Sequence, residues 1–268
     1  MSDSDIFEDL IGLKITVDDM KHHAKLARMK EGKGCFVCDY NGYTTNYQGK
    51  AVMCTCTKEK FFLELFQRAD VPSLFYKKTT DDWNTRTDSL GNDLGPQQKI
   101  SEMVYSLLKF YDKNLYKICN GVSIKITHTG NIRNNLHSMM FEGSYGSGKT
   151  FIASVLVQSA IRQGLTAKYY DWADMIQTLS DFDKKAEADT LLEEFKHLDF
   201  IAIDGVEIYQ YMPPQIVPQL DRVSKARLNS GKPSIIMTFG NILNYNGGSG
   251  WNSLIKNCLH IRLPQTVR

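Results

Sequence analysis

The stretch Gly143-Ser144-Tyr145-Gly146-Ser147-Gly148-Lys149-Thr150 guides the interpretation of this 268-residue chain. It matches the pattern G-x4-G-K-[ST] in full, and it lies between an apolar segment, SMMFEG, and a segment of helical spacing, KTFIASVLVQSAIRQ. Glycines let the backbone wrap around a phosphate, so that successive N–H groups and a helix N-terminus face the negative charge. We therefore predict an ATP site in which Lys149 reaches the β- and γ-phosphates and the Thr150 hydroxyl contacts Mg²⁺.

From residue 138 onward, short apolar segments alternate with segments of helical spacing. The predicted strands are 138–143, 166–170, 199–204, 234–240 and 258–263, and the predicted helices between them are 149–163, 172–181, 188–197, 214–229 and 251–256. Apolar strands separated by helices indicate a parallel sheet covered on both faces. The predicted fold class is therefore α/β, a phosphate-loop domain. Because only five residues follow the last strand, we expect no C-terminal helical lid.

Polar residues follow two of these strands and are candidates for the chemistry. Asp204 ends a buried strand, where its carboxylate can hold Mg²⁺ through the water shell. ATP-hydrolysing enzymes of this kind usually carry a second acid next in sequence, but here that residue is Gly205. Glu207 is the candidate substitute, with an ordinary surface carboxylate as the alternative. Thr238 or Asn241 is a candidate sensor of the γ-phosphate, with a simple turn as the alternative.

Four of the six cysteines form two close pairs within 22 residues: Cys35, Cys38, Cys54 and Cys56. Four thiolates suffice for a closed tetrahedral Zn²⁺ site, and nearby glycines and asparagines supply the turns that such a site needs. We predict structural rather than catalytic zinc, because four protein ligands fill the coordination shell. Cys119 and Cys258 are expected to be buried thiols unrelated to this cluster.

Composition excludes several classes of protein. Hydrophobic residues make up 42% and charged residues 23%, which is ordinary for a globular protein and excludes collagen, coiled coil and wholesale disorder. The net charge of +2 indicates no global attraction to nucleic acid. The acidic N-terminus does not resemble a signal peptide, and no apolar run reaches the length of a membrane helix. We expect a soluble, cytoplasmic protein with no membrane partner.

The chain is expected to contain two domains, with a boundary near Pro72. Residues 1–71 would hold a helix over 1–33 with a basic run (KHHAKLARMKEGK), the cysteine cluster, and a second helix over 57–69. Residues 72–268 would hold a polar loop over 79–98, a helix over 99–118 and the α/β region. The basic run is either a contact for nucleic acid or a partner protein, or an ordinary solvated helix face.

Aromatic and basic residues elsewhere carry weaker signals. Loops that follow parallel strands often bind ligands, so aromatic residues there are candidates either for stacking on unpaired bases or for core packing: Tyr169, Tyr170, Trp172, Tyr209 and Tyr211. Arg222 and Arg227 lie on the predicted helix before strand 234–240. Either is a candidate to reach the γ-phosphate of a neighbouring subunit, or to lie in solvent.

Taken together, the chain resembles the bacterial and phage DnaC/DnaI-type helicase loaders, lidless AAA+ ATPases that also include the IstB transposition helpers. The resemblance covers roughly residues 35–268 and rests on six pieces: the C-x2-C…C-x-C knuckle, VPSLFYKKTTDDW, GSYGSGKT, HLDFIAIDGVE, ARLNSGKPSIIMTFGN and the closing strand. It implies nucleotide and magnesium roles for Lys149, Thr150 and Asp204. It also matches Asn241 to a sensor asparagine and Arg227 to an arginine before the G-[KR]-P turn.

The resemblance further implies what such a protein binds. Loaders of this type grip a hexameric replicative helicase with the N-terminal domain, while their ATPase domains self-associate and hold single-stranded DNA. Two departures argue against strong hydrolysis. The second acid is replaced by Gly205, and the arginine-finger position falls near Ser253, where no arginine stands. The expected function is helicase loading during replication initiation, with ATP acting mainly as a switch and ATPase activity weak.

Three other functions remain open at this point. A transposition helper of the same ATPase class would remodel duplex DNA, although the zinc knuckle is associated with loaders. A nucleotide kinase with a zinc-bound lid would carry its cysteines after the phosphate loop, whereas here they precede it. A zinc-stabilised adaptor would bind nucleotide and partner without hydrolysis.

Overall fold

The computed structural model describes residues 35, 37–38, 41–87, 91, 93–122, 125–128, 131–134, 138–207, 214, 216–240 and 248–264. The chain divides into two compact units, residues 1–68 and 69–268. The predicted helix over 1–33, its basic run, Asn241, Tyr209 and Tyr211 lie outside the described residues. Within the part that is described, no helix is long and apolar enough to cross a membrane.

The first unit contains a small hairpin followed by a helix. Strands β1 (Tyr43–Thr45) and β2 (Ala51–Met53) pair antiparallel, and helix α1 spans Thr55–Arg68. The Asn46 side chain closes the hairpin by accepting hydrogen bonds from the backbone N–H groups of Gln48 and Lys50. The sequence predicts turns here but not the strands, because three residues per strand are too few to show an alternating pattern.

The second unit begins with irregular chain and a long helix. Three short 3₁₀ segments, Ser73–Phe75, Thr80–Asp82 and Gly95–Gln97, lead into helix α2 (Gln98–Cys119). The helix confirms the prediction over 99–118, and its buried residues recur at helical spacing. A hairpin of β3 (Lys125–His128) and β4 (Asn131–Asn134) follows, which the sequence analysis did not predict.

A five-stranded parallel sheet forms the centre of the second unit. Its strands are β5 (Met139–Glu142), β6 (Ala167–Asp171), β7 (Phe200–Val206), β8 (Ser234–Thr238) and β9 (Leu259–Arg262), in the spatial order β6-β7-β8-β5-β9. The helices between them are α3 (Lys149–Arg162), α4 (Trp172–Ser180), α5 (Lys185–His197), α6 (Val217–Ser230) and α7 (Gly248–Lys256). All five predicted strands and the helices that connect them are confirmed.

Burial explains why these strands read as continuous apolar runs. Every residue of β8 is buried, as are six of the seven residues of β7, so both faces of the sheet are covered by helices. One large apolar cluster joins the sheet to α4–α7, and in it the rings of Trp172 and Trp251 stack with centroids 5.2 Å apart. Because β8 lies between β5 and β7, its last residue, Thr238, pairs with Val206 of β7 and accepts a hydrogen bond from the Gly143 N–H of the phosphate loop.

Candidate functional site

The phosphate loop connects β5 to α3, as the sequence predicts. Gly148 caps the N-terminus of α3 with φ of +89°, in the left-handed region where a side chain is disfavoured. A Cβ atom at this position would also lie 2.7 Å from a ring carbon of Trp83. Both the backbone conformation and the close approach of the indole therefore require glycine at the start of the helix.

Lys149 projects into the loop that precedes it. Its Nζ donates to the carbonyl oxygens of Gly143 and Ser144, each at 2.7 Å, and lies 3.9 Å from the centroid of the Phe239 ring. The residue is only 5% exposed. Burial lowers the pKa of Lys149 to about 8, and the nearby negative charge of Asp204 opposes part of that shift. The ammonium group is thus held where a bound phosphate would meet it.

Asp204 and Thr150 meet across the sheet, although 54 positions separate them in sequence. The Thr150 hydroxyl donates to Asp204 Oδ2 at 2.6 Å, and the Tyr169 hydroxyl donates to the same oxygen at 2.8 Å. The backbone N–H of Gly205 donates to Oδ1 at 2.8 Å. A hydroxyl and a carboxylate side by side are the oxygen ligands that Mg²⁺ prefers, so these residues fit a magnesium ion beside the phosphate loop.

Gly205, which stands where a second acid is usual, lies in a bulge of β7. Ile203 pairs with Ile236 and Val206 pairs with Thr238, so β7 contains one more residue than β8 over this stretch. The extra residue lies at Asp204–Gly205, and Gly205 has φ of +77°. A side chain at residue 205 would be strained, although space around it is open. A simple change of Gly205 to glutamate therefore does not restore the usual arrangement.

Glu207 lies next to the phosphate loop. The Tyr145 hydroxyl donates to Glu207 Oε1 at 3.4 Å, and the Tyr145 ring lies 4.3 Å from the Phe239 ring, measured between centroids. Through Phe239, this group of side chains reaches Lys149. The structure thus brings the predicted substitute acid to the nucleotide site rather than leaving it on a distant surface.

Thr238, the last residue of β8 and the other candidate sensor, hydrogen bonds within the turn that follows the strand. Its hydroxyl donates to the Gly240 carbonyl at 2.7 Å and accepts from the Gly240 N–H at 3.2 Å. This bonding favours the turn interpretation for Thr238 over a direct contact with phosphate.

A cavity of about 300 Å³ adjoins the phosphate loop, and sequence reasoning missed its upstream wall. That wall comes from chain more than 40 residues before the loop and includes Phe75, Trp83, Asn84, Leu94 and Ser101. The Trp83 indole N–H donates to Ser101 Oγ at 3.0 Å, which orients the ring over the loop. The family resemblance includes the segment VPSLFYKKTTDDW, but its pattern alone gives no role for Trp83.

The prediction that Arg227 acts on a γ-phosphate is wrong. Arg227 is fully buried in α6, and its guanidinium donates to the carbonyls of Phe195, Leu198 and Pro233 and to Ser234 Oγ. These partners precede or begin β7 and β8, at the edge of the sheet opposite the phosphate loop. Arg227 therefore joins α5, α6 and β8 within the core. Arg222, on the same helix, is exposed.

The aromatic residues at the end of β6 and directly after it pack inside the protein, which excludes them as exposed platforms for bases. Tyr169, Tyr170 and Trp172 are all buried. The Tyr170 hydroxyl donates to Glu194 Oε2 at 3.4 Å, and Trp172 stacks on Trp251. Of the two interpretations that the sequence left open, core packing is the one confirmed.

The first unit brings the four predicted cysteines together. Their Sγ atoms all lie within 4.8 Å of one another, with Cys35–Cys54 at 3.8 Å and Cys38–Cys56 at 3.7 Å. A tetrahedron with Zn–S bonds of about 2.3 Å has S–S edges of about 3.8 Å, so the spacing fits a zinc ion. A disulfide would need about 2.05 Å.

The electrostatics of this cluster also favour a cation. Backbone N–H groups of Val37 and Cys38 lower the pKa of Cys35 to about 7. Burial, followed by the three neighbouring thiols, raises the pKa of Cys56 to about 12. Four thiolates this close repel one another, and a bound Zn²⁺ would supply the compensating charge.

Comparison with known proteins agrees with an ATP site at the phosphate loop. Residues 120–240 match the family model of the IstB-like ATP binding proteins. No curated protein matches the chain in sequence. A crystal structure of the DnaC helicase loader aligns with a TM-score of 0.52 and 12% identity, covering 72% of this chain and 99% of the other.

Two further structures align over less of their own length. A crystal structure of a DNA replication initiation factor gives a TM-score of 0.52 and 15% identity over 70% of this chain and 50% of the other. The structure of the replication initiator DnaA bound to AMPPCP and single-stranded DNA aligns with a TM-score of 0.47 and 15% identity, covering 60% of this chain and 45% of the other. This chain thus spans about half the length of these initiators, and at such identities the likeness concerns the fold. The matched region, which contains the phosphate loop, Asp204 and β8, is therefore similar to the IstB-like ATP binding proteins, and the chain shares its fold with the DnaC helicase loader.

Proposed function

We propose that this protein is a helicase loader, which binds ATP and single-stranded DNA and places a hexameric replicative helicase on DNA during replication initiation. The observation that carries the proposal is the joined site of Lys149, Thr150 and Asp204 on an AAA+ sheet whose fold is shared with the DnaC helicase loader. Self-association through the ATPase units and contact with single-stranded DNA belong to the proposal by family resemblance.

The nucleotide site would work through groups that are all in place. Backbone N–H groups of the loop and the N-terminus of α3 face the phosphates, and Lys149 supplies positive charge. Thr150 and Asp204 would hold Mg²⁺, which when bound neutralises charge on the β- and γ-phosphate oxygens. Trp83 and the cavity beside it would receive the base, because an indole offers a flat apolar surface for stacking.

ATP would act mainly as a switch, since two of the described residues expected to support fast hydrolysis do not do so. Gly205 has no side chain to orient the attacking water, and Arg227 is committed to the core. Glu207, held by Tyr145 beside the loop, is the proposed acid for a slow reaction. An arginine finger contributes about 10³ to 10⁵ in rate, so the loss of Arg227 from that role would leave turnover low.

The first unit would bind zinc and the helicase. Zinc coordination by the four cysteines would supply folding free energy to a unit whose described part contains a short hairpin and a single helix. This unit carries no phosphate loop, so its contact with the helicase should not require nucleotide. The domain roles, with residues 1–71 for the partner and 72–268 for ATP and DNA, follow from that separation.

A second candidate is an IstB-like transposition helper, which the match over residues 120–240 favours. A third is a zinc-stabilised adaptor without hydrolysis, which the bulge at Gly205 favours. The four-cysteine cluster supports the loader over the transposition helper, because the resemblance associates this knuckle with loaders.

Paired variants of the full chain test the division of labour. Lys149→Ala should abolish binding of ATP and of single-stranded DNA while leaving nucleotide-free binding to the helicase of the same genome intact. Cys38→Ser should abolish binding to the helicase while leaving binding of ATP and of single-stranded DNA intact. Co-purification of each variant with the helicase, beside nucleotide titrations, measures both activities. Loss of helicase binding in Lys149→Ala, together with its retention in Cys38→Ser, would contradict the proposed architecture.

A further inference from the structure

Tyr169 is the one side chain from outside β7 and the phosphate loop that the described residues show bonded to Asp204. It lies on β6, the strand next to β7, and its hydroxyl donates to Asp204 Oδ2 at 2.8 Å. The same oxygen accepts the Thr150 hydroxyl at 2.6 Å, while Oδ1 accepts the Gly205 N–H. Three donors, from α3, β6 and β7, therefore fix the orientation of this carboxylate.

The phenol is itself held in place. Tyr169 is 7% exposed, and its backbone N–H donates to the Ala69 carbonyl at 2.9 Å, which anchors the strand position. Burial, and then the charge of Asp204, raises the pKa of Tyr169 well above its ordinary value. The phenol hydroxyl is therefore held at a fixed position, 2.8 Å from Asp204 Oδ2, as a donor to that carboxylate.

A fixed carboxylate matters because metal affinity depends on how its ligands are held. A Thr150 hydroxyl oxygen that binds Mg²⁺ would still donate its hydrogen bond to Asp204 Oδ2. A carboxylate that rotates freely must first be ordered, and here the ammonium of Lys149 is close enough to attract it. The Tyr169 hydroxyl keeps Asp204 directed at Thr150.

We propose that Tyr169 is a positioning residue for Mg²⁺, orienting Asp204 so that the carboxylate and Thr150 together receive the ion of Mg²⁺–ATP. This inference rests on the proposed ATP site. It assigns a role in the nucleotide site to a strand that carries no part of the phosphate loop or of the metal-binding acid.

The experiment is an ATP titration of the full-length protein in Mg²⁺ and in EDTA, for wild type and Tyr169→Phe. We expect Tyr169→Phe to reduce the stimulation of ATP affinity by Mg²⁺ about tenfold, the lower end of the roughly 10–100-fold cost of removing an outer partner of a metal ligand. Affinity in EDTA should stay unchanged, which also shows that the variant is folded. A residue that only fills the core would lower the melting temperature without changing the ratio of the two affinities.

Two controls separate the possible failures. Tyr170→Phe removes the next hydroxyl along β6, which bonds to Glu194 instead, and should leave Mg²⁺ stimulation unchanged. In the Asp204→Asn background, Tyr169→Phe should have no further effect on it. Wild type without Mg²⁺-stimulated ATP binding would overturn the proposed function. Normal stimulation in both wild type and Tyr169→Phe would overturn the positioning role alone.

Discussion

Raising the pH from 7 to 9 should weaken ATP binding about tenfold, because Lys149 loses its proton in that range. Burial lowers the pKa of Lys149 to about 8, and Asp204 opposes part of the shift. With that value, the charged fraction of the lysine falls from about 0.9 at pH 7 to about 0.1 at pH 9. The ratio corresponds to ~1.4 kcal/mol of binding free energy.

The sign follows from proton linkage. Bound phosphates favour the ammonium form, so the complex holds the Lys149 proton to higher pH than the free protein does. Above pH 8 binding must take up a proton, and affinity falls as the pH rises. Below pH 7 the lysine is already charged, so its contribution no longer varies.

Tryptophan fluorescence offers a direct assay. Trp83 lines the cavity beside the phosphate loop, whereas Trp172 and Trp251 are buried in the core cluster. Nucleotide should therefore change the Trp83 signal, and Trp83→Phe should remove that change. The Lys149→Arg variant keeps a permanent charge, so the ATP affinity that it retains should not change between pH 7 and pH 9. A wild-type affinity that stays constant to pH 9.5, or an equal slope in Lys149→Arg, would refute the reasoning.

Three other substitutions test separate parts of the structure. Cys56→Ser should abolish binding of the one Zn²⁺ per chain expected in wild type and unfold the first unit, while ATP binding is unchanged. Metal analysis and circular dichroism measure these effects, and a reduced wild-type sample without zinc would contradict the prediction. Arg227→Met should lower the free energy of unfolding by roughly 3 kcal/mol, since it strands several buried carbonyls; denaturant titration measures this, and Arg222→Ala, at an exposed site, should have no such effect. Gly205→Glu should cost about 1 kcal/mol of backbone strain and should not raise ATP turnover; a clear rise in turnover would show that a side chain there reaches the attacking water.

Local patterns account for what the sequence could predict. The phosphate loop is set by glycines and a lysine within eight residues, and each buried strand is visible as an apolar run. Asp204 follows from its place at the end of such a strand. The topology of a parallel sheet then brings it to the same edge as Thr150, as the 2.6 Å hydrogen bond confirms.

Contacts between distant segments account for what could not be predicted. Trp83 reaches Gly148 because irregular chain before α2 returns to the loop, and no local spacing records that path. In the sequence, Arg227 cannot be distinguished from an exposed helical arginine, because its carbonyl partners before β7 and β8 come from distant segments. The bulge at Gly205 and the bond from Tyr169 depend on the register of neighbouring strands, which a single sequence does not reveal.

The most direct test of the proposed function is helicase loading onto covalently closed circular single-stranded DNA. A closed hexamer cannot thread such a circle, so the helicase becomes trapped on it only if the ring is opened. With this protein and ATP, we predict circle-bound helicase that survives a high-salt wash, and no gain over helicase alone with Lys149→Ala. Equal trapping by wild type and Lys149→Ala, or none by wild type in the presence of ATP, would contradict the account.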